Sequence, residues 1–233
     1  LGKSVDERLK QEPELIEVMM ATSLLMENPE IVDVSVGAVE ALVNRTDTVR
    51  LLLGLFDRSL VRRHSTRFTT SFTLDQPLRT YYHGLLGSRS KGWHGTAGTY
   101  YEQEGQVLAA AYHFMEAGEL ERAAKLILSN VEVLINQGKA AGVDVFLTRF
   151  PAQKVNWKLQ IELAEAKGDL RVLDGVYDAA LLVYQGALSR ARIHRPMDTM
   201  MVARLHRKIG KCQERTDALD VALKSYGDGL SLL

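Results

Sequence analysis

Residues 94–118 read HGTAGTYYEQEGQVLAAAYHFMEAG, a stretch in which small and aromatic side chains recur at helical intervals. Gly98, Tyr101, Gly105, Ala110, Phe114 and Ala117 are separated by three, four, five, four and three residues. None of them is a nucleophile or a typical metal ligand. Small side chains at this spacing let two antiparallel helices approach closely. A glycine between them turns the chain, and the aromatic fills the remaining gap. The alternation therefore predicts packing rather than chemistry.

The spacing returns twice, in Gly168, Arg171, Gly175, Ala180, Tyr184 and Ala187, and in Gly210, Gln213, Asp217, Ala222, Tyr226 and Gly229. This resembles the tetratricopeptide repeat, a helix-turn-helix unit of about 34 residues that stacks into a solenoid. Arg171 and Gln213 stand where Tyr101 supplies an aromatic. The third copy begins 42 residues after the second, which implies a longer turn near HRPMD at 194–198. Between the first two copies, 70 residues apart, ELERAAKLILSNVEVLINQG and AAGVDVFLTRF leave room for one irregular hairpin.

Outward on the N-terminal side, Pro13 opens a helical stripe of Leu15, Val18, Met19, Thr22 and Leu25 or Met26. A second helix is expected from Ser35 as N-cap to Asn44. A third, TVRLLLGLFDRSL, follows with Val49, Leu52, Leu53 and Phe56 inward. The period then changes to two, predicting a hairpin of Leu60–Arg63 with Phe68–Leu74, before Pro77 opens PLRTYYHGLL. Three helices and a two-stranded wing have the order of a winged helix. The expected organisation is an N-terminal extension at 1–12, a winged-helix domain at 13–87 and helical repeats at 88–233. GSRSKG at 87–92 reads as linker and hinge. The fold class is mainly α, a winged helix followed by a tetratricopeptide-like solenoid.

A second resemblance rests on YEQEGQVLAAAYHFMEAGELERAAKLIL with FLTRFPAQKVNWKLQIELAEAKGD, and on LLLGLFDRSLVRR with FTLDQPLRTYYHGLL. In this order they resemble the winged-helix and helical regions of the large ATP-dependent bacterial transcription regulators of the maltose-activator type. Those regulators belong to the STAND class of signal-transduction ATPases. Asp75 stands where many relatives have a histidine. The resemblance implies a regulatory sensor that binds a protein, a peptide, a small-molecule inducer or an upstream ATPase domain, and restrains assembly until an effector shifts the population. The alternative is a stand-alone peptide-binding scaffold.

Composition narrows the classes. Lys and Arg equal Asp and Glu at 29 each, so no net field favours nucleic acid or membrane. The distribution is uneven, at −6 over residues 1–44 and +6 over 45–91. Cys212 is the single cysteine, which fits a reducing cytoplasm. No run approaches the ~20 apolar residues of a membrane span. The chain starts on Leu1, as an internal fragment would, and GKS at 2–4 lacks the remainder of a phosphate-binding loop. Any ATPase activity is expected in a domain outside these residues.

The six histidines show neither HExxH nor a cysteine at zinc spacing. His94 and His206 occupy matching repeat positions, where packing explains them. Tyr81 with Tyr82, or Asp174 with Asp178, lack a neighbouring nucleophile or oxyanion donor. No catalytic residue, cofactor site or metal site is expected. Arg45, Arg50, Arg58, Arg62, Arg63 and Arg67 make the winged helix basic, yet its third helix is too apolar to read a groove, so DNA is an unfavoured partner. The candidate binding residues lie later. Arg204, Arg207, Lys211 and Arg215 form a basic stripe, expected on the concave face, where it could clamp an acidic peptide. Glu162, Glu165 and Asp169 form an acidic row one repeat earlier. Lateral pairing of the two rows is the favoured expectation.

Overall fold

The computed structural model describes residues 2–67, 69–194 and 198–233. The chain is mainly helical and forms two compact units, residues 1–123 and 124–233. Phe68, expected in the hairpin, and most of the expected turn at 194–198 lie outside the described residues.

The first unit is built on α2 (Pro13–Leu25), preceded by α1 (Gly2–Arg8). Rather than burying one stripe, α2 is enclosed on all sides from Val18 onward, with Met20, Ala21, Ser23 and Leu24 buried beside the expected residues. A helix apolar all round belongs in the centre of a core. Its two hydroxyls are satisfied internally: Thr22 donates to the Val18 carbonyl at 2.8 Å and Ser23 to Met20 at 2.7 Å. Full burial of Val18, Met19, Leu24 and Leu25 contributes about 1.5–3 kcal/mol each.

α3 (Val36–Val43) and α4 (Thr48–Asp57) pack against α2. Ser35 caps α3, its hydroxyl accepting from the Ala38 N–H at 3.2 Å, and Asn44 ends it in the left-handed region at φ 52°. α4 is rotated relative to the expectation. Thr48, Leu51, Leu52 and Leu55 are buried at spacings of three, one and three, whereas Val49 is 50% and Phe56 41% exposed. The apolar run offered two stripes, and packing against α2 selected one.

β2 (Arg62–Ser65) pairs antiparallel with β3 (Thr70–Thr73), two residues later on the first strand than expected. Leu60 and Val61 are spent ending α4: Ser59 turns at φ 59° and the Leu60 N–H donates to the Leu55 carbonyl. A third strand, β1 (Val34–Ser35), pairs with β3 and places Val34 beside Phe72, giving the order β1–β3–β2. α5 (Gln76–Gly84) then packs on α2.

The segment expected as linker at 87–92 is helical from Arg89. α6 (Arg89–Gln103) and α7 (Val107–Ala117) are part of the first unit, which runs past the expected boundary at 87. Arg89 pairs with Glu17 at 3.3 Å, and Asn28 donates to the Ala109 carbonyl at 3.1 Å. Buried between α6 and α7, the Nδ1 atoms of His94 and His113 lie 2.9 Å apart. Tyr101 stacks on His113 with ring centroids 5.5 Å apart. His113 Nε2 has no hydrogen-bond partner. An orphaned lone pair costs less than an orphaned N–H, so His113 Nδ1–H donates and His94 Nδ1 accepts. Burial lowers His94 to about 4, with a smaller push from His83, and lowers His113 to about 3, with a smaller push from His94.

The division between the units falls within α8 (Leu120–Asn136), which α9 (Ala140–Arg149) follows. Beyond them α10 (Trp157–Leu173) and α12 (Thr199–Arg215) are helices of 17 residues displaced by 42 positions, partnered by α11 (Tyr177–Ile193) and α13 (Leu219–Leu230). Even the caps repeat: Asn156 accepts from the Leu159 N–H and Asp198 from the Met201 N–H, both at 3.1 Å.

The three copies of the opening pattern build the same local seat. A Cβ at Gly98 would lie 2.5 Å from the Phe114 ring and one at Gly210 2.6 Å from Tyr226. At Gly168 it would press still closer on Tyr184. The turns match as well, with Gly105, Gly175 and Asp217 at φ 70°, 75° and 59°. In each, the following N–H (Gln106, Val176, Ala218) returns to the carbonyl of Tyr101, Arg171 or Gln213 at 2.8–2.9 Å. Ala110, Ala180 and Ala222 are buried as well. Ala187 and Gly229 are buried at the fourth small position, while Ala117, near the end of α7, is half-buried.

Gly168→Ala is expected to lower stability by about 1–3 kcal/mol through overpacking against Tyr184. Gly186→Ala, where a Cβ meets nothing within 4 Å, is expected to gain about 0.5–1 kcal/mol from helix propensity. Urea midpoints of the two variants measure the contrast. The lowered histidines make a second expectation. Both are neutral in the native state, so their contribution is complete above the ordinary value of 6.5. It drains away as pH falls from there towards about 4 and about 3. A urea midpoint followed from pH 7.5 to 5 should fall, and His94→Phe with His113→Phe should flatten that slope.

Candidate binding face

α10 and α12 both pack on α11, and their charged side chains meet directly. Arg204 grips Glu165 with two nitrogens, Nε at 2.7 Å and Nη2 at 2.8 Å. Lys208 bridges Glu165 at 2.8 Å and Asp169 at 2.5 Å. Asp169 also accepts the Tyr184 hydroxyl at 2.6 Å, which ties the ladder to the glycine seat. Glu165 is buried. Burial pushes its carboxyl up, but hydrogen bonds from Arg204 and Lys208 outweigh that and hold it below the ordinary range.

The two rows read from the sequence are thus joined in part. Glu165, Asp169 and Arg204 come together laterally. Glu162 is half-buried and adds to the negative field on Arg204. Arg207, Lys211 and Arg215 are exposed and make no ion pair among the described residues. Lys208 is the residue that the sequence reading missed. The stripe through Arg204, Arg207, Lys211 and Arg215 passes it by, yet the i,i+4 pair Arg204 and Lys208 matches the i,i+4 pair Glu165 and Asp169 in phase. That equality of spacing was the available signal.

Arg207 borders two hollows. One, of about 430 Å³, lies between α12 and α13 and is lined by Met200, Ala203, Arg207, Tyr226, Gly229 and Leu230 among others. The other is a cleft of about 120 Å³ reaching Tyr177, Tyr184, Lys208, Lys211 and Cys212. The Cys212 thiol is buried and pushed up by that burial. His206 is buried too, its Nε2 2.7 Å from Arg192. The arginines of the first unit are largely engaged: Arg45 and Arg50 with Asp47, Arg58 with Glu12, and Arg62 with Asp75. Among the described residues, no three His, Cys, Asp or Glu side chains are grouped as a metal site, and no helix is long and apolar enough to cross a membrane.

No family model, curated protein or solved structure matches the chain.

Glu165→Ala is expected to cost about 2 kcal/mol, because it strips partners from Arg204 and the half-buried Lys208. Arg207→Glu is expected to change stability by less than about 0.5 kcal/mol, as an exposed, unpaired position should. Urea denaturation at pH 7 reports both.

Proposed function

We propose that this chain is a non-catalytic regulatory fragment that holds another polypeptide, part of a bacterial signal-transduction ATPase or transcription regulator of the STAND class. On this reading the first unit is a winged helix extended by one helical hairpin, and the later hairpins are tetratricopeptide-like. The repeats sense a protein, a peptide or an inducer and keep the intact regulator closed. ATP chemistry belongs to a domain outside these residues, and the setting is the cytoplasm. One observation carries the reading: the glycine–aromatic seat recurs at Gly98 with Phe114, Gly168 with Tyr184 and Gly210 with Tyr226. Such seats make rigid helical pairs whose outer side chains are free to vary, which suits recognition better than reaction chemistry. DNA fits less well, because most of the arginines around α4 and β2 already serve carboxylates.

Panning the 233-residue chain against a phage-displayed peptide library should enrich a sequence consensus. Anisotropy with a mixed-sequence DNA duplex should show no binding with a steep salt slope. A library that yields no consensus, or a duplex that binds with such a slope, would overturn the polypeptide reading.

A further inference from the structure

The 42-residue displacement that carries α10 and α11 onto α12 and α13 also predicts what should cover the outer side of the last hairpin. In the preceding hairpin, Ile161, Tyr184, Ala187, Leu188 and Ala191 form a buried cluster with Met201, Leu205 and Ile209 of α12. Tyr177 and Leu181 pack against the same cluster. Shifted by 42, these positions become Ala203, Tyr226, Gly229, Leu230 and Leu233, together with Leu219 and Leu223. The first five line the 430 Å³ hollow described above. The leucines are bare: Leu219 is 59% exposed, Leu223 68%, Leu230 75% and Leu233 74%. The seat that α12 covers on one hairpin is therefore repeated on the next, with its leucines exposed.

Charge specifies the occupant. Glu165 and Asp169 are the residues that α10 offers to α12, and Arg204 and Lys208 answer them. Shifted by 42, Glu165 becomes Arg207 and Asp169 becomes Lys211. Both are exposed and unpaired among the described residues. The sign is reversed, so a helix docking there as α12 docks on α10 must carry acids where α12 carries Arg204 and Lys208.

We infer that the outer face of α12 and α13 docks an acidic amphipathic helix of a partner protein, its apolar row on Leu223, Tyr226 and Leu230 and two carboxylates four residues apart on Arg207 and Lys211. A second copy of this chain pairing face to face would bring the same apolar and basic surface against itself, and two-fold pairing of like charges opposes that contact. The inference deepens the polypeptide-holding reading and rests on it.

The probe is a synthetic peptide of residues 199–215 carrying Cys212→Ala, Arg204→Glu and Lys208→Glu. Its control keeps Arg204 and Lys208. Titrated against the full chain, the glutamate peptide should bind at least about tenfold more tightly than the control. In a chain carrying Arg207→Glu and Lys211→Glu, the preference should invert, with the urea midpoint unchanged. Leu223→Glu with Leu230→Glu should abolish binding of either peptide. Equal binding of both peptides, or none by the glutamate peptide, overturns the inference. So does sedimentation of the chain as a dimer that Leu230→Glu dissociates, which would assign the face to a second copy. Panned peptides that still bind the Leu223→Glu, Leu230→Glu chain would leave the polypeptide reading intact and remove only this face from it.

Discussion

The close seat between a helical glycine and the aromatic sixteen residues later is the constraint on which the helical pairs depend. It leaves no room for a methyl group at Gly98, Gly168 or Gly210. The aromatic ring then lies on bare backbone, and the two helices approach more nearly than side chains would otherwise permit. A tight interior is sensitive to single methylene groups, so these glycines hold the geometry of each pair. The price is helix propensity, about 1 kcal/mol per glycine relative to alanine. Tyr184 recovers part of it by burying its ring and donating to Asp169.

That last bond links packing to electrostatics. Asp169 serves the ring of its own hairpin and Lys208 of the next, while Glu165 serves Arg204 and Lys208 together. Exposed ion pairs contribute little on their own. A buried carboxylate is different, since removing its partners leaves a charge without compensation. The ladder thus contributes less to net stability than to register: only one sliding position of α12 on α10 satisfies both carboxylates.

Several features were legible in the sequence because a single residue type dictated them. Ser35 as a cap, Gly105 and Gly175 as turns, and the three glycine–aromatic intervals each follow from backbone or steric requirements that few residues meet. Other features depended on competition among equivalent choices. VRLLLGLF can bury more than one stripe, and contact with α2 decided that Leu51 and Leu55 go inward while Val49 and Phe56 do not. Strand β1 is two residues long, too short for any periodicity, and exists because β3 offers it an edge. GSRSKG has linker composition, but its last residues start α6, anchored by Arg89 on Glu17. Lys208 escaped because a basic stripe can be traced through several i,i+3 and i,i+4 routes, and only the acidic row facing it selects among them.

Reversal of charge between successive helices has a consequence for specificity. If α12 had repeated the acids of α10, every hairpin face would attract the same basic helix, and the pairs could add without limit or exchange. Instead α10 presents Glu165 and Asp169, and α12 presents Arg207 and Lys211 at the same positions. A helix with the charges of α12 fits the first face and is repelled by the second, which is discrimination by an unfavourable contact as much as by a favourable one. The apolar rows are similar enough to accept many amphipathic helices, so area alone could not make this distinction. Two charges at a four-residue spacing can, because sliding by one turn opposes one of them with a partner of the wrong sign or with none.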